Sequence, residues 1–497
     1  MAEFDAVVAE HNALIAGRDA QIAVLQDQVA ALTTQVATLL AQLESQRKQN
    51  SNNSSKPPSS DPPHGPFRAN KPTGKKPGRR DGHEGVTNTP FAADEVTAAP
   101  LVPGSCGHCG SDFDPDAPCT SAPLVFQSID LPETPPAVIE YQRQERCCAS
   151  CGRLTRASLP DDVGLSPYGP RLQAMVVTWA LQFHLSRLQI QALLASQYGL
   201  TICTATIQTI IERMASACEK PVEELKTAIN NAPVVNADET GHKHQGGGAK
   251  GKRHWLWVAV TLGIAVFAAA ADRGADGLAM ILNKGYKGIV GCDRWKPYES
   301  CFGANRQLCW AHLKREGQGA VDRAEVLMKS KDQAVRACGE RLLAWGQVFL
   351  KEYEAMFASW GRFKAGGLTR PGLRGVMVCH QTSFRELFNQ GLTLEDKKVK
   401  GMSKDLLRPV QWKSLWTFVT VEGVEPTNNR AEQAIRQPVL LRRKSGGTRS
   451  AIGMKALATL LSVVETCRRQ GLSIVGYFEA VIRSQRLGQP PPSLVPA

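Results

Sequence analysis

Acidic residues stand at the ends of two short apolar segments of this chain. Residues 233–240 deliver Asp238 and Glu239, and residues 288–293 repeat the arrangement with Asp293. A carboxylate at the end of a strand has a rigid support and free oxygens, which are the ligands that Mg²⁺ and Mn²⁺ prefer. Two such carboxylates on neighbouring strands need a cation between them. Taken alone, each aspartate could equally end a strand or cap a helix.

A third acid, Glu432, follows a turn and lies in the first turns of a predicted helix. Arg442, Arg443 and Lys444 follow it, and basic residues beside a metal-binding carboxylate suit a phosphodiester substrate. Glu239 directly follows Asp238, so on a strand it points to the opposite face. We therefore leave Glu239 out of the predicted acidic set.

Paired cysteines predict a zinc site. The two C-x-x-C pairs are Cys106 with Cys109 and Cys148 with Cys151. Four thiolates complete a tetrahedral zinc site, although Cys147 or His108 could replace one ligand. The alternative is a set of free buried thiols. With 14 cysteines in 497 residues, the chain is no disulfide scaffold, and we expect a reducing cytosol.

A C-x-x-H pair, Cys309 and His312, follows Asp293 in the sequence. The pair could bind a metal or orient the acidic site through a hydrogen bond. A packing role for Cys309, with His312 near phosphate, is equally consistent with the sequence. Arg315 is either a phosphate contact or a solvated helix residue.

The elements that must position these residues are strands and helices. Residues 255–271 carry no charge, but their β-forming residues and central Gly263 favour two buried strands over a membrane span. Residues 167–229 read as helical, with a helix-turn-helix pattern around Gly199. Generic helix pairs have the same pattern.

The N-terminal region has heptad spacing. The two apolar series are Ile22, Val29, Val36 and Leu43, and Leu25, Leu32 and Leu39. This alternation of three and four residues is typical of a parallel two-stranded coiled coil, so we expect homo-oligomerisation. The alternative is an amphipathic helix packed on its own domain.

From residue 50 to about residue 100 the chain is rich in Pro, Ser and Lys, which predicts a disordered linker. Its basic cluster either contacts phosphates or only solubilises the chain.

Composition agrees with a nucleic-acid partner. Lys and Arg total 59 against 46 acidic residues, giving a net charge of +13, and 497 residues allow about three domains. The first residues lack a basic region followed by an apolar run, so we expect neither secretion nor membrane insertion.

The chain resembles the DDE transposases of the insertion-sequence-66 type over nearly its whole length, and its motifs follow one another in the same order as in that family. The resemblance covers the zipper, the Asn-Ser-Ser-Lys-Pro-Pro-Ser linker at 53–59 and the paired C-x-x-C. It then covers the blocks Asp238-Glu239-Thr240 with Trp255-Leu256-Trp257, Asp293 with Tyr298 and residues 309–315, and residues 428–432 with Arg436.

The resemblance implies a catalytic triad of Asp238, Asp293 and Glu432 that binds Mg²⁺ or Mn²⁺ and transfers DNA strands by a two-metal mechanism. It implies double-stranded element ends and target DNA as substrates, companion proteins from the same element, and a bacterial, nucleoid-associated protein. The expected zinc ligands are Cys106, Cys109, Cys148 and Cys151, and the expected DNA contacts are Arg436, Arg442, Arg443, Lys444, His312 and Arg315.

The predicted fold class is multidomain α+β with an RNase H-like α/β catalytic domain. The predicted segments are a coiled-coil helix (1–48), a linker (49–100), a zinc module (101–160), a helix-turn-helix-like region (161–230), the first part of the catalytic core (231–320), a helical insertion (321–425), the final catalytic helices (426–485) and a flexible tail (486–497). The alternatives are a non-catalytic DNA-binding regulator and an RNase H-like nuclease that cuts without joining.

Overall fold

The computed structural model describes residues 2–47, 53, 91–92, 96–97, 99–116, 118–131, 135–164, 166–244 and 253–496. Most of the predicted linker at 49–100, including its basic cluster at 71–80, lies outside the described residues. The chain divides into two compact units. One comprises Met1–Pro63 and Glu140–Ala497, and the other comprises His64–Ile139.

Helices dominate a mixed α/β chain. The helices are α1 (Ala2–Arg47), α2 (Pro170–Leu181), α3 (Arg187–Tyr198), α4 (Thr204–Ala217), α5 (Glu219–Asn231), α6 (Ala275–Ala279), α7 (Lys296–Phe302), α8 (Trp310–Leu327), α9 (Gln333–Lys364), α10 (Arg370–Gly391), α11 (Lys397–Leu406), α12 (Pro409–Leu415), α13 (Thr417–Thr420), α14 (Asn429–Ser445), α15 (Ala451–Gln470) and α16 (Ile474–Arg486). The strands are β1 (Glu145–Cys147), β2 (Leu154–Arg156), β3 (Val234–Lys243), β4 (Arg253–Val260), β5 (Ala265–Ala270), β6 (Ile289–Cys292) and β7 (Arg306–Leu308).

A mixed sheet with the order β5-β4-β3-β6-β7 supports the predicted acids. β3, β4 and β5 form an antiparallel meander, while β6 and β7 run parallel to β3. The uncharged stretch at 255–271 therefore forms two strands, as predicted, with a turn that includes Gly263. Among the described residues, no helix combines the length and apolar character needed to span a bilayer.

The larger unit contains two hydrophobic cores. The first joins the sheet to α2–α5 and α14–α16, with Trp257, Val258 and Phe478 fully buried. The second lies among α8–α13, around Trp310 and Phe384. The aromatic residues at helical spacing in α9 belong to this second core, as predicted: Trp345, Phe349, Tyr353 and Trp360 are buried, and Phe357 packs against them.

The helix pair α3 and α4 flanks a tight turn. Ser186 and Gln189 form a capping box at the start of α3, and Gly199 ends it in the left-handed conformation, with φ of 64°. A residue with a Cβ would be strained there. The helices thus lie where the sequence predicts them, and their DNA-binding role stays a prediction.

Helix α15 covers the β5 edge of the sheet. The Thr466 hydroxyl accepts the Ala265 N–H at 3.1 Å, and the Ser462 hydroxyl accepts the Phe267 N–H at 2.8 Å. All four residues are buried or nearly so. The hydroxyls replace the neighbouring strand that an edge strand lacks.

The β7 edge is covered by α13. The Thr417 hydroxyl donates to the Arg306 carbonyl at 2.6 Å, and the Gln307 side chain accepts the Phe418 N–H at 2.8 Å. These contacts anchor the helical region at 333–420 to the sheet.

Candidate active site

Strand β3 presents two different polar faces. Asn236, Asp238 and Thr240 point toward α14, because Asn236 and Thr240 bond to residues of the turn and helix there. Glu239 points to the other face, where Arg273 and Tyr298 hold it. The alternation of side chains along a strand thus separates the two adjacent acids, as the sequence predicts.

Asp293 follows β6, the parallel neighbour of β3. The register pairs Asn236 with Gly291, so continuing it by two residues brings Asp293 opposite Asp238, where neighbouring strands are about 4.8 Å apart. The Asp293 carboxylate accepts the Trp295 N–H at 2.8 Å, which fixes it at the start of the next turn.

Glu432 lies in the first turn of α14, and its negative charge acts on Asp238. Burial raises the pKa of Asp238 well above its usual value, and the negative charges of Glu239, Asp293 and Glu432 raise it further. Burial also raises the pKa of Asp293. Hard oxygen donors that oppose one another's ionisation are a donor set suited to Mg²⁺ or Mn²⁺.

Asn428 ties the Glu432 helix to the strand that carries Asp238. Its side chain is fully buried, donating to the Ala237 carbonyl at 2.8 Å and accepting from the Asn236 amide at 3.0 Å. Its backbone N–H donates to the Cys309 sulfur at 3.1 Å. These bonds fix the start of α14 against β3 and thereby place Glu432 beside the aspartates.

A comparison with known protein families matches more than half of the chain. Residues 166–456, more than half of the 497-residue chain, match the model of the family described as "Transposase IS66 family". The chain belongs to the IS66 transposase family. Residues 9–89 match a second family, DUF6444, of unknown function.

A relative of this family member is the uncharacterized protein y4hP of Sinorhizobium fredii (strain NBRC 101917 / NGR234). It is 22% identical over 355 residues, which cover 67% of this chain and 62% of the relative. The chain thus spans less than two thirds of the length of that relative.

Polar side chains surround Glu432 of α14 in this IS66-family chain. Arg315 donates to both Glu432 oxygens, at 3.0 and 2.8 Å. The His312 Nδ1 lies 3.5 Å from Oε1, and the Cys309 sulfur lies 4.0 Å from the same oxygen. The sequence predicts His312 and Arg315 as DNA contacts, and the structure brings both to the Glu432 carboxylate.

The predicted basic residues of α14 differ in their surroundings. Arg442 bonds to the Thr240 hydroxyl at 2.9 Å and to the Gly241 carbonyl. The side chains of Arg436, Arg443 and Lys444 are exposed. Arg442 therefore supports β3 directly, while the other three lie where a phosphate backbone could reach them.

Glu239 is buried beside a guanidinium that neutralises its charge and a hydroxyl that donates a hydrogen bond to it. Its side chain is fully buried, lies 2.6 Å from Arg273 Nη2 and accepts the Tyr298 hydroxyl at 2.8 Å. Arg273 in turn stacks on the Trp295 ring at 4.2 Å. Burial raises the pKa of Glu239 to about 7, and Asp293 adds to the rise, while Arg273 opposes it. This closed ion pair indicates a structural role.

The two C-x-x-C turns fall in different compact units, yet each has the same backbone hydrogen bonds. Cys106 N–H donates to Ser111 O at 2.8 Å, and Gly110 N–H donates to Cys106 O at 2.9 Å. Cys148 N–H donates to Arg153 O at 2.9 Å, and Gly152 N–H donates to Cys148 O at 2.8 Å.

Both turns need a glycine, because Gly110 and Gly152 have φ of 76° and 66°. The shared pattern begins at Cys148, whereas Cys147 ends β1. Hydrogen bonds from Ser111 lower the pKa of Cys109 to about 7, and backbone N–H groups, that of Cys151 first, lower the pKa of Cys148. Lowered thiol pKa values favour the thiolate that zinc binds.

Proposed function

We propose that this chain is an active transposase that binds the ends of its element, cleaves DNA and joins the freed end to target DNA. The observation that carries the proposal is the buried Asp238 carboxyl, whose pKa is raised by burial and then by the negative charges of Glu239, Asp293 and Glu432. The sheet order, with three antiparallel strands followed by two parallel ones, supports an RNase H-like core.

In this proposal Asp238, Asp293 and Glu432 hold two Mg²⁺ or Mn²⁺ ions. The chemistry that these residues would gain from bound ions is activation of water or a 3′-hydroxyl and stabilisation of the leaving oxygen in an in-line phosphoryl transfer. Asn428 keeps the Glu432 helix against β3, and Arg442 supports the same strand. The exposed Arg436, Arg443 and Lys444 contact the phosphate backbone of double-stranded DNA.

The remaining regions supply binding and assembly. The apolar series of α1 are more than half exposed in the single chain, which supports pairing with a second copy. The turns at Cys106–Cys109 and Cys148–Cys151 share the same backbone hydrogen bonds, and each carries two thiols of the kind that zinc binds. We expect about one zinc per chain by elemental analysis under reducing conditions, and metal-free protein would contradict this expectation.

The test uses labelled DNA ends of the element, Mg²⁺ and a plasmid target. We expect Asp293→Ala to abolish strand transfer while end binding persists, because the variant loses a metal ligand and no DNA contact. The control, Asp276→Ala, removes an exposed aspartate of α6 and should leave transfer unchanged.

Undiminished transfer by Asp293→Ala would remove Asp293 from the triad. Cleavage without joining by the natural protein would instead identify a nuclease, and end binding without cleavage would identify a regulator.

A further inference from the structure

A sulfur, an imidazole nitrogen and a carboxylate oxygen meet beside the proposed magnesium site. Among the described residues, Cys309, His312 and Glu432 form a group whose potential ligand atoms all lie within 4.8 Å of one another. Cys309 is the N-cap residue of α8, and His312 lies in its first turn, so one helix start positions both donors.

The distances suit one small ion. In a tetrahedral zinc site, a thiolate sulfur and a carboxylate oxygen lie about 3.6 Å apart, and an imidazole nitrogen and the oxygen lie about 3.4 Å apart. Glu432 Oε1 is 4.0 Å from the Cys309 sulfur and 3.5 Å from His312 Nδ1. Both distances exceed the tetrahedral values by only a few tenths of an ångström, and the sulfur and the imidazole nitrogen lie within 4.8 Å of each other.

The hydrogen-bond partners of His312 and Glu432 leave Nδ1 and Oε1 available as metal ligands. His312 Nδ1 is buried and, among the described residues, has no hydrogen-bond partner. Arg315 lies closer to Oε2 of Glu432, at 2.8 Å, than to Oε1, at 3.0 Å. Arg315 can keep Oε2 while Oε1 turns to a metal ion.

We propose that Cys309, His312 and Glu432 form a second, zinc-selective site, and that this site competes with the proposed magnesium site for Glu432 as a ligand. The donor set is softer than three carboxylates, so it selects Zn²⁺ over Mg²⁺. Binding replaces the thiol proton of Cys309, which passes to solvent, and a water molecule completes the tetrahedron. The inhibition that follows rests on the proposed function, whereas the zinc binding does not.

The test counts zinc bound per full-length chain across a range of buffered free zinc. We expect natural protein to bind one more zinc ion than His312→Ala, and excess Mg²⁺ should not displace it. The control Cys379→Ser alters an exposed cysteine of α10 and should match natural protein. Equal zinc binding by natural protein and His312→Ala would overturn the proposal.

A second variant covers the possibility that His312→Ala misfolds. With Co²⁺ in place of zinc, Cys309→Ser should lose one thiolate-to-cobalt charge-transfer contribution relative to Cys379→Ser, and identical spectra would also overturn the site. In strand-transfer assays, zinc should inhibit natural protein at least about tenfold more strongly than His312→Ala. If natural protein transfers no strands at all, the proposed function fails while the zinc count still decides this site.

Discussion

Two adjacent acids on β3, Asp238 and Glu239, lie on opposite faces of the strand and have different surroundings. Burial raises the pKa of Asp238, and the negative charges of Glu239, Asp293 and Glu432 raise it further. Glu239, one residue later, faces a guanidinium and a tyrosine hydroxyl that satisfy it. On one face the carboxylates oppose the ionisation of Asp238, although Arg315 pairs with Glu432. On the other face Arg273 and Tyr298 satisfy Glu239 within the protein. The difference shows that environment, and not residue type, separates a candidate metal ligand from a structural acid.

Replacing each acid with alanine should give the largest difference between the two faces, in strand transfer for one and in stability for the other. Asp238→Ala should reduce Mg²⁺-dependent strand transfer at least about a thousandfold, because it removes a proposed metal ligand. Its free energy of unfolding in metal-free buffer should not fall, because the change relieves repulsion among carboxylates. Glu239→Ala should lose about 2 kcal/mol of stability, because the buried Tyr298 hydroxyl and Arg273 lose their acceptor.

Chemical denaturation and strand-transfer assays on both variants make this comparison. Glu395→Gln provides a control, since its ion pair with Arg341 is half-exposed on both sides and should contribute at most about 0.5 kcal/mol. If Glu239→Ala lost transfer as completely as Asp238→Ala while remaining folded, the assignment of the two faces would be wrong.

A pH-dependent effect on stability should appear further along the Asp238 face, at His242. Burial lowers the pKa of His242 to about 4, and Arg442 and two neighbouring histidines lower it further. Between pH 6.5 and about 4 the unfolded chain therefore binds a proton that the folded chain does not, so stability falls as the pH drops. This loss reaches about 3 kcal/mol at pH 4.

His242→Leu should remove that part of the acid sensitivity, which unfolding curves at several pH values would measure. The side chain is 1% exposed, so leucine also removes a buried polar ring. Equal pH slopes for natural protein and His242→Leu would contradict the buried neutral histidine.

The sequence predicts the elements of the site better than its contacts. Apolar segments ending in acids predict the two strands and place Asp293 directly after β6, but the predicted strand end at Asp238 is wrong, because β3 continues to Lys243 and Asp238 lies mid-strand. The period of two along a strand predicts that Glu239 faces away from Asp238. These features depend on local periodicity, which a single sequence contains.

Contacts between distant segments could not be predicted in the same way. Asn236 and Asn428 are 192 positions apart, and only the folded chain brings their amides to 3.0 Å. A signal for this contact existed in Gly291, because a Cβ there would lie 2.3 Å from the Asn236 amide. Arg315 and Glu432 are likewise 117 positions apart, and no periodic pattern in the sequence indicates that they pair.

The covered edges of the sheet limit how copies of this chain can assemble. Hydroxyls of α15 occupy the backbone donors of β5, and α13 occupies groups of β7. A strand from another molecule would have to break these bonds before it could add to either side, which protects the protein from fibre-like aggregation. Any assembly of copies of this chain should therefore use helices or loops and leave the five-stranded sheet intact in every copy.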